Sequence, residues 1–128
     1  MNTQTKLQKL LQVEEAPAFG QGTLSIDDDK LFCGLAHVIA IVIWPFKRAE
    51  SPAVDAHGKE ALNMAITWLL VMIPLNLMVN MMPSFLAVLF ALVLSAAGFI
   101  ALGLAIYGLL LARQGKLLRY PYNLRLIK

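Results

Sequence analysis

The chain has 128 residues, of which 59% are hydrophobic and 15% charged, and its formal net charge is +3. Soluble domains usually have an apolar share nearer half. Here the apolar residues are also clustered, because no Asp, Glu, Lys, Arg or His occurs between Ala61 and Ala112. A protein this small cannot bury such a run in water, so the composition excludes a soluble globular domain. The sequence predicts a small integral membrane protein whose apolar segments contact the lipid bilayer.

The basic residues lie beside the apolar run. The tail that follows Ala112 carries arginines and lysines and no acidic residue. Positive residues in that position set the orientation of a membrane protein, so we expect no nucleic-acid partner. The single cysteine, Cys33, excludes an internal disulfide and a CxxC pair.

Residues 1–30 are predicted to form a polar tail. Leu7, Leu10 and Leu11 recur at helical spacing, which predicts a short amphipathic helix within it. Three alternatives are open for this helix: it lies on the membrane surface, docks on a partner, or stays disordered. At the end of the tail, Asp27 is the predicted N-cap of the next helix.

Residues 31–46 form the first apolar segment, which is short. About 16 residues span roughly 24 Å, less than a hydrocarbon core near 30 Å, and Pro45 discourages helix at the residue before it. The segment either crosses a thinned bilayer or sits half inserted, and the sequence leans toward crossing, with the amino terminus outside. Trp44, Lys47 and Arg48 are predicted to lie at the membrane interface.

A cytoplasmic loop is predicted at residues 47–60, followed by transmembrane helices at 61–82 and 85–112 and a basic tail at 113–128. Within the loop, Ser51 and Pro52 suit the N-cap and first position of the second helix, and a start nearer Asp55 is the alternative. The loop and the tail flank the same end of the helical hairpin and carry its positive residues, so we expect a cytoplasmic C-terminus. The predicted fold is an all-α membrane protein. It comprises two full transmembrane helices, one short N-terminal hydrophobic helix and a polar N-terminal tail.

Small residues share one face of the last helix and predict a stripe for helix packing: Ala97, Ala101, Ala105, Gly108 and Ala112. We expect the second span to pack there, and the substitution Ala101→Leu to weaken that packing.

Polar side chains in or beside the apolar segments are predicted to contact other helices or a partner: His37, Asp55, His57, Lys59, Glu60, Asn63, Asn76 and Asn80. In the tail, Arg119, Tyr120 and Tyr122 are predicted to lie at the level of the lipid headgroups.

His37, His57 and Glu60 come together if the first helix packs beside the second, and such a set can hold zinc. His37 lies about 12 Å from the helix end at Trp44, which favours a structural, hydrogen-bonded histidine. No paired nucleophile and base, phosphate-binding glycine loop or spaced cysteine set occurs. We therefore expect no enzyme, no catalytic residue, no metal and no cofactor.

Four motifs carry a family resemblance: Leu35-Ala-His37, Ile43-Trp-Pro45, the run from Lys47 to Asn63, and the closing segment from Arg119 to Ile127. With them, residues 31–128 resemble a small prokaryotic integral membrane protein family of unknown function that is distantly grouped with the chloroplast inner-envelope protein-import (translocon) component. The resemblance implies a compact bundle of membrane helices and no established enzymatic activity. Members of that family have a longer first span than this chain.

The predicted function is that of a non-enzymatic accessory or interaction subunit, or an assembly factor, of a larger membrane complex in the prokaryotic inner membrane. The alternative is an oligomeric transporter or a protein-translocation component, as the import grouping suggests. In that case Asn63, Thr67, Asn76 and Asn80 line a cavity shared within a homo-oligomer, and their accessibility to solvent distinguishes the two functions.

Overall fold

The computed structural model describes residues 3–120 and 124–128, without the side chains of residues 4, 5, 7 and 8. Tyr122 and the side chain of Leu7 are therefore outside the described residues. Apart from one short strand pair, the regular secondary structure of the described residues is helical. Its elements are α1 (Thr3–Leu10), β1 (Val13–Glu15), α2 (Ile26–Lys47), α3 (Pro52–Asn80), α4 (Ser84–Arg113) and β2 (Lys116–Leu118).

Three of these helices, α2, α3 and α4, are long and apolar enough to cross a membrane. The all-α membrane fold is confirmed, but α2 is longer than the predicted first helix, with 22 residues that a kink at Ile39 divides. It begins before the apolar segment because Ser25, and not Asp27, is its N-cap. The Ser25 hydroxyl accepts a hydrogen bond from the amide of Asp28 at 3.1 Å.

Helix α3 begins at Pro52, which is one of the two predicted starts, so residues 52–60 form its first turns and are not part of a cytoplasmic loop. Pro52 occupies the first turn, where its missing N–H costs no hydrogen bond. The hydroxyl of Ser51 caps the helix by accepting a hydrogen bond from the amide of Val54 at 3.3 Å. Only residues 48–51 separate α2 from α3.

Helix α2 folds back on itself. Ile39 interrupts it with a non-helical φ of −131° and ψ of 50°. As a result Lys47 Nζ lies 5.2 Å from the ring centroid of Phe32, whereas a straight helix would separate the two residues by about 22 Å. The amide of Thr23 also donates a 2.8 Å hydrogen bond to the carbonyl of Glu50. Both ends of α2 therefore lie at the same end of the molecule.

The core lies at that end. Cys33 of α2 packs with Ala53 and Val54 of α3 and with Ala112 of α4. A second cluster joins Leu111 to Leu118 and Tyr120, which follow α4. Beyond this core α3 and α4 continue as an exposed hairpin, since 6% of the apolar window of α3 and 0% of that of α4 is buried. Such surfaces suit lipid contact.

The two tails meet at the same end. Strand β1 pairs antiparallel with β2, with Val13 opposite Leu118 and Glu15 opposite Lys116. Because β2 follows α4 directly, this pairing holds the amino-terminal tail beside the C-terminal one. If residues 31–46 crossed the bilayer, the two tails would lie on opposite sides of it, which does not fit this arrangement. A half-inserted segment keeps the tails on one side and does fit.

Candidate functional site

A buried cluster of two histidines and a tyrosine joins three parts of the fold. His37 of α2 lies with its Nδ1 atom 2.6 Å from the hydroxyl of Tyr120 and its Nε2 atom 3.0 Å from Nδ1 of His57 in α3. The three side chains are almost fully buried, with 6%, 2% and 0% exposure respectively. The cluster is a hydrogen-bonded chain that ties the bend of α2 to α3 and to the tail.

Gly108 of α4 makes room for this cluster. A Cβ atom at Gly108 would lie 2.6 Å from Nδ1 of His37 and 2.9 Å from the hydroxyl oxygen of Tyr120. At this level the small-residue stripe therefore faces α2 and the tail. Ala112, one turn further, packs in the cluster that contains Cys33 and Val54.

The part of the stripe that precedes Gly108 in the sequence is separated from α3 by an open space. Ala101 and Ala105 line a pocket of about 160 Å³ together with His37, Trp68 and Tyr120. Ala97, two turns from Ala105, is half-buried.

This pocket changes the expected result of Ala101→Leu. The sequence predicts weaker packing, but the added carbons can enter the pocket and bury apolar surface, at about 0.8 kcal/mol for each CH₂. We therefore expect the Ala101→Leu variant, in detergent micelles, to unfold at a denaturant concentration equal to or higher than that of the wild-type chain. A clear loss of stability, with the chain still helical by circular dichroism, would restore the first expectation.

Glu60 anchors a group of ionic contacts beside the histidines. Its carboxylate is 3% exposed and accepts a 2.8 Å hydrogen bond from Arg119. Arg125 lies 3.7 Å from the same oxygen, and the amide of Tyr120 donates to the other oxygen at 3.4 Å. Arg119 also binds Glu14 at 2.9 Å, so Glu60 and Arg119 link α3 to both tails.

The surroundings of Arg119 and Tyr120 in the tail raise the pKa values of both side chains. The hydrogen bonds that Arg119 donates to Glu60 and Glu14 raise the pKa of its guanidinium above its ordinary value. Burial, followed by the charge of Glu60, raises the pKa of the Tyr120 hydroxyl. Tyr120 therefore stays protonated at neutral pH and can donate its hydrogen to His37.

The predicted zinc set is only partly assembled. His37 and His57 meet, but the Glu60 carboxylate binds Arg119 and the Tyr120 amide. Among residues 3–120 and 124–128, no three His, Cys, Asp or Glu side chains are arranged to hold a metal ion. That this protein has no metal or catalytic residue stays a prediction.

Trp44 holds the returning end of α2 on α3. Its indole N–H donates a 2.9 Å hydrogen bond to Asp55, which also binds Lys59 at 2.7 Å. Its ring lies against Gly58, where a Cβ atom would approach to 2.5 Å. The guanidinium of Arg48 stacks over the Trp44 ring, 4.7 Å from its centroid. Arg48, which was predicted to lie at the membrane interface, therefore also makes a tertiary contact.

Residues 124–128 form a C-terminal strap along α3. Asn63 donates to the carbonyl of Ile127 and accepts from its amide, both at 2.8 Å. The amide of Leu124 donates to the hydroxyl of Thr67 at 2.9 Å. Asn63 and Thr67 thus bind the chain's own tail. This partner could not be identified from the sequence, because residues 124–128 show no regular alternation of polar and apolar residues.

Asn76 and Asn80 lie on the exposed part of α3. Each side chain donates to a backbone carbonyl one turn earlier, Asn76 to Met72 and Asn80 to Asn76, at 2.8 Å. The structure brings neither of them to the polar residues at the tail end.

Long apolar helices that are exposed to their surroundings, joined at one end by a buried polar cluster, define a small integral membrane protein. The sequence profile of the MamF/MmsF magnetosome magnetite crystal formation protein family matches residues 28–127. The chain belongs to this family. Neither a curated protein nor a solved structure matches it significantly. The expectation that the chain belongs to a family of small membrane proteins is thus confirmed, but nothing in the match supports a grouping with the chloroplast import component.

Proposed function

We propose that this chain is a non-enzymatic accessory subunit of the magnetosome membrane, and that it assists magnetite crystal formation by binding a larger membrane complex. The family match over residues 28–127 supports the compartment and the process. The accessory role rests on the distal hairpin, defined here as residues 69–102 of α3 and α4. This hairpin extends past α2 and carries polar side chains among exposed apolar ones.

The hydrogen bonding of Asn76 is the main support for the accessory role. Its amide uses one N–H on the carbonyl of Met72, while an asparagine offers a second N–H and an oxygen. Asn76 and Ser95 line a recess of about 230 Å³ between α3 and α4. In lipid, an amide is stabilised by a partner on another helix, typically by about 0.6–2 kcal/mol. A helix of a neighbouring membrane protein would supply that partner.

We also propose that both tails face the cytoplasm. The strand pair holds them on one side, and Lys47, Arg48 and Arg113 lie at that end of the helices, whereas the turn between α3 and α4 carries no positive residue. Positive residues favour the cytoplasmic side.

Thiol labelling tests this topology. In a Cys33→Ala background, cysteines placed at Ala18 and Gln114 are expected to react with a membrane-impermeant reagent from the cytoplasmic side. A cysteine at Met81, in the turn between α3 and α4, is expected to react from the opposite side. Labelling of positions 18 and 114 from opposite sides would show instead that α2 crosses the bilayer.

Complementation tests the proposed function. In a magnetite-forming bacterium that lacks its own family member, the wild-type chain is expected to restore crystal length in electron micrographs and to copurify in mild detergent with a stoichiometric membrane complex. Asn76→Leu is expected to reach the membrane but lose the complex and the crystal length. The control Met78→Leu changes an exposed apolar residue on the same helix and is expected to behave as wild type. Failure of the wild-type chain would refute the role in crystal formation, and a homo-oligomer without other proteins would favour transport.

A further inference from the structure

An open pocket of about 490 Å³ lies between the first turns of α3, strand β2 and the C-terminal strap. Its ionic lining residues are Asp55, Lys59, Glu60, Arg119, Arg125 and Lys128. We propose that this pocket binds the phosphate-bearing headgroup of an anionic phospholipid. The proposal does not rest on the role in crystal formation.

The pocket lining has more cations than acids, and its acids are already engaged. Asp55 binds Lys59 at 2.7 Å, and Glu60 binds Arg119 at 2.8 Å. Glu14, outside the lining, also neutralises Arg119. The cations that remain for a ligand are Arg125, whose side chain is 45% exposed and 3.7 Å from the shared Glu60 oxygen, and Lys128.

The arginine and lysine side chains of the strap are suited to a phosphate group. Guanidinium binds phosphate oxygens through two parallel N–H groups, and an ammonium adds a compact positive charge. A bound phosphate would thus meet two cations from the strap, and Lys59 of α3 also lines the pocket.

The strap indicates that the phosphate belongs to a lipid. Arg125 and Ile127 line the pocket, whereas Leu124 and Leu126, the alternate residues, are 50% and 61% exposed. Exposed apolar side chains on the strap that lines the pocket can contact acyl chains next to the headgroup. A soluble phosphate compound would make no use of them.

The pocket also lies at headgroup depth. Along α3 it extends from Pro52 to Asn63, about 16 Å of helix, and the uncharged run begins at Ala61. The headgroup layer occupies roughly 5–8 Å on each side of the hydrocarbon core. The inner part of the pocket therefore overlaps that layer.

Native mass spectrometry of the purified full-length chain tests the site. The protein in non-ionic detergent is mixed with phosphatidylglycerol or phosphatidylcholine at equal concentration, and bound lipid is counted. We expect one phosphatidylglycerol to be retained in preference to phosphatidylcholine. The double variant Arg125→Gln/Lys128→Gln is expected to lower the affinity for phosphatidylglycerol about thirtyfold, because two surface cations at about 1 kcal/mol each contribute about 2 kcal/mol.

Two further variants separate this pocket from a general charge effect. Arg113→Gln removes one cation at the exposed end of α4, outside the pocket, and is expected to leave binding unchanged. Asn63→Leu keeps every charge but removes both hydrogen bonds to the strap, and is expected to weaken binding. Circular dichroism establishes that each variant is folded.

Several results would overturn the proposal. Equal retention of the two lipids would show that no anionic site exists. An equal loss in Arg113→Gln would assign the effect to overall charge, and full binding by Asn63→Leu would exclude the strap as a wall of the site. Displacement of phosphatidylglycerol by an equal concentration of glycerol phosphate would refute the lipid assignment, whereas retention of the lipid in its presence supports it.

Discussion

Replacing Gly108 with alanine is expected to destabilise the protein, whereas the same change at Gly103 is not. At Gly108 the new Cβ atom would lie 2.6 Å from His37 and 2.9 Å from Tyr120, while at Gly103 no atom lies within 4 Å. Overpacking of a well-filled site costs about 1–3 kcal/mol. Both variants gain the helix propensity of alanine, about 1 kcal/mol, so this gain cancels when they are compared. Gly108→Ala should be less stable than Gly103→Ala by about 1–3 kcal/mol.

Equilibrium unfolding in mixed detergent micelles measures this difference. A double-mutant cycle identifies its source, because His37→Ala removes the imidazole that the new methyl group meets. In that background Gly108→Ala is expected to cost distinctly less. Equal stability of the two glycine variants would contradict the close approach of α4 to His37, and an unchanged cost in the His37→Ala background would assign the effect to Tyr120 alone.

The apolar spans could be predicted from the sequence because their signal is local. An uncharged run from Ala61 to Ala112 requires lipid, and Pro83 within it marks the turn that separates two helices. The starts of the helices were harder to locate, since they depend on caps. Ser25 and Ser51 both cap helices through their hydroxyls, and for α2 the neighbouring Asp27 offered an equally plausible cap.

The fold-back of α2 could not be predicted, because a calculation of length and hydropathy treats each helix as straight. The bend at Ile39 is stabilised by contacts on either side of it, His37 with His57 and Trp44 with Gly58. These contacts exist only once α3 is in place. For the same reason the sequence marked His37 as an unusual polar residue without revealing Tyr120, which lies 83 positions away.

The strand pair and the strap are further consequences of tertiary structure. Three-residue strands are too short to show a period of two, and β1 and β2 form beside each other only because α2 folds back. Likewise, Asn63 indicated a need for a partner but did not identify the backbone of Ile127. Polar residues in apolar segments therefore predicted where contacts are needed, and the structure identifies the groups that make those contacts.

Replacing Glu60 with glutamine is expected to have the largest effect among single charge changes at the tail end. The variant keeps the shape of the side chain but leaves Arg119 and Arg125 close together without the buried carboxylate that both approach. Removing one partner of a buried pair costs about 3–5 kcal/mol. The Arg119 side chain is 30% exposed, and water screens part of this charge, so we expect a loss of about 2–3 kcal/mol.

Glu50→Gln is the matched control, since it removes the same charge from a pair that both partners expose. Lys47 and Glu50 are 31% and 37% exposed in their 3.0 Å contact, and such pairs contribute about 0–1 kcal/mol. Micelle unfolding should separate the two variants, and limited proteolysis should cut the tail after β2 faster in Glu60→Gln only. Because Glu60 binds Arg119, which also binds Glu14, the amino-terminal tail should become protease-sensitive together with the C-terminal one. Release of only one tail, or equal stability of the two variants, would show that Glu60 does not hold the tails together.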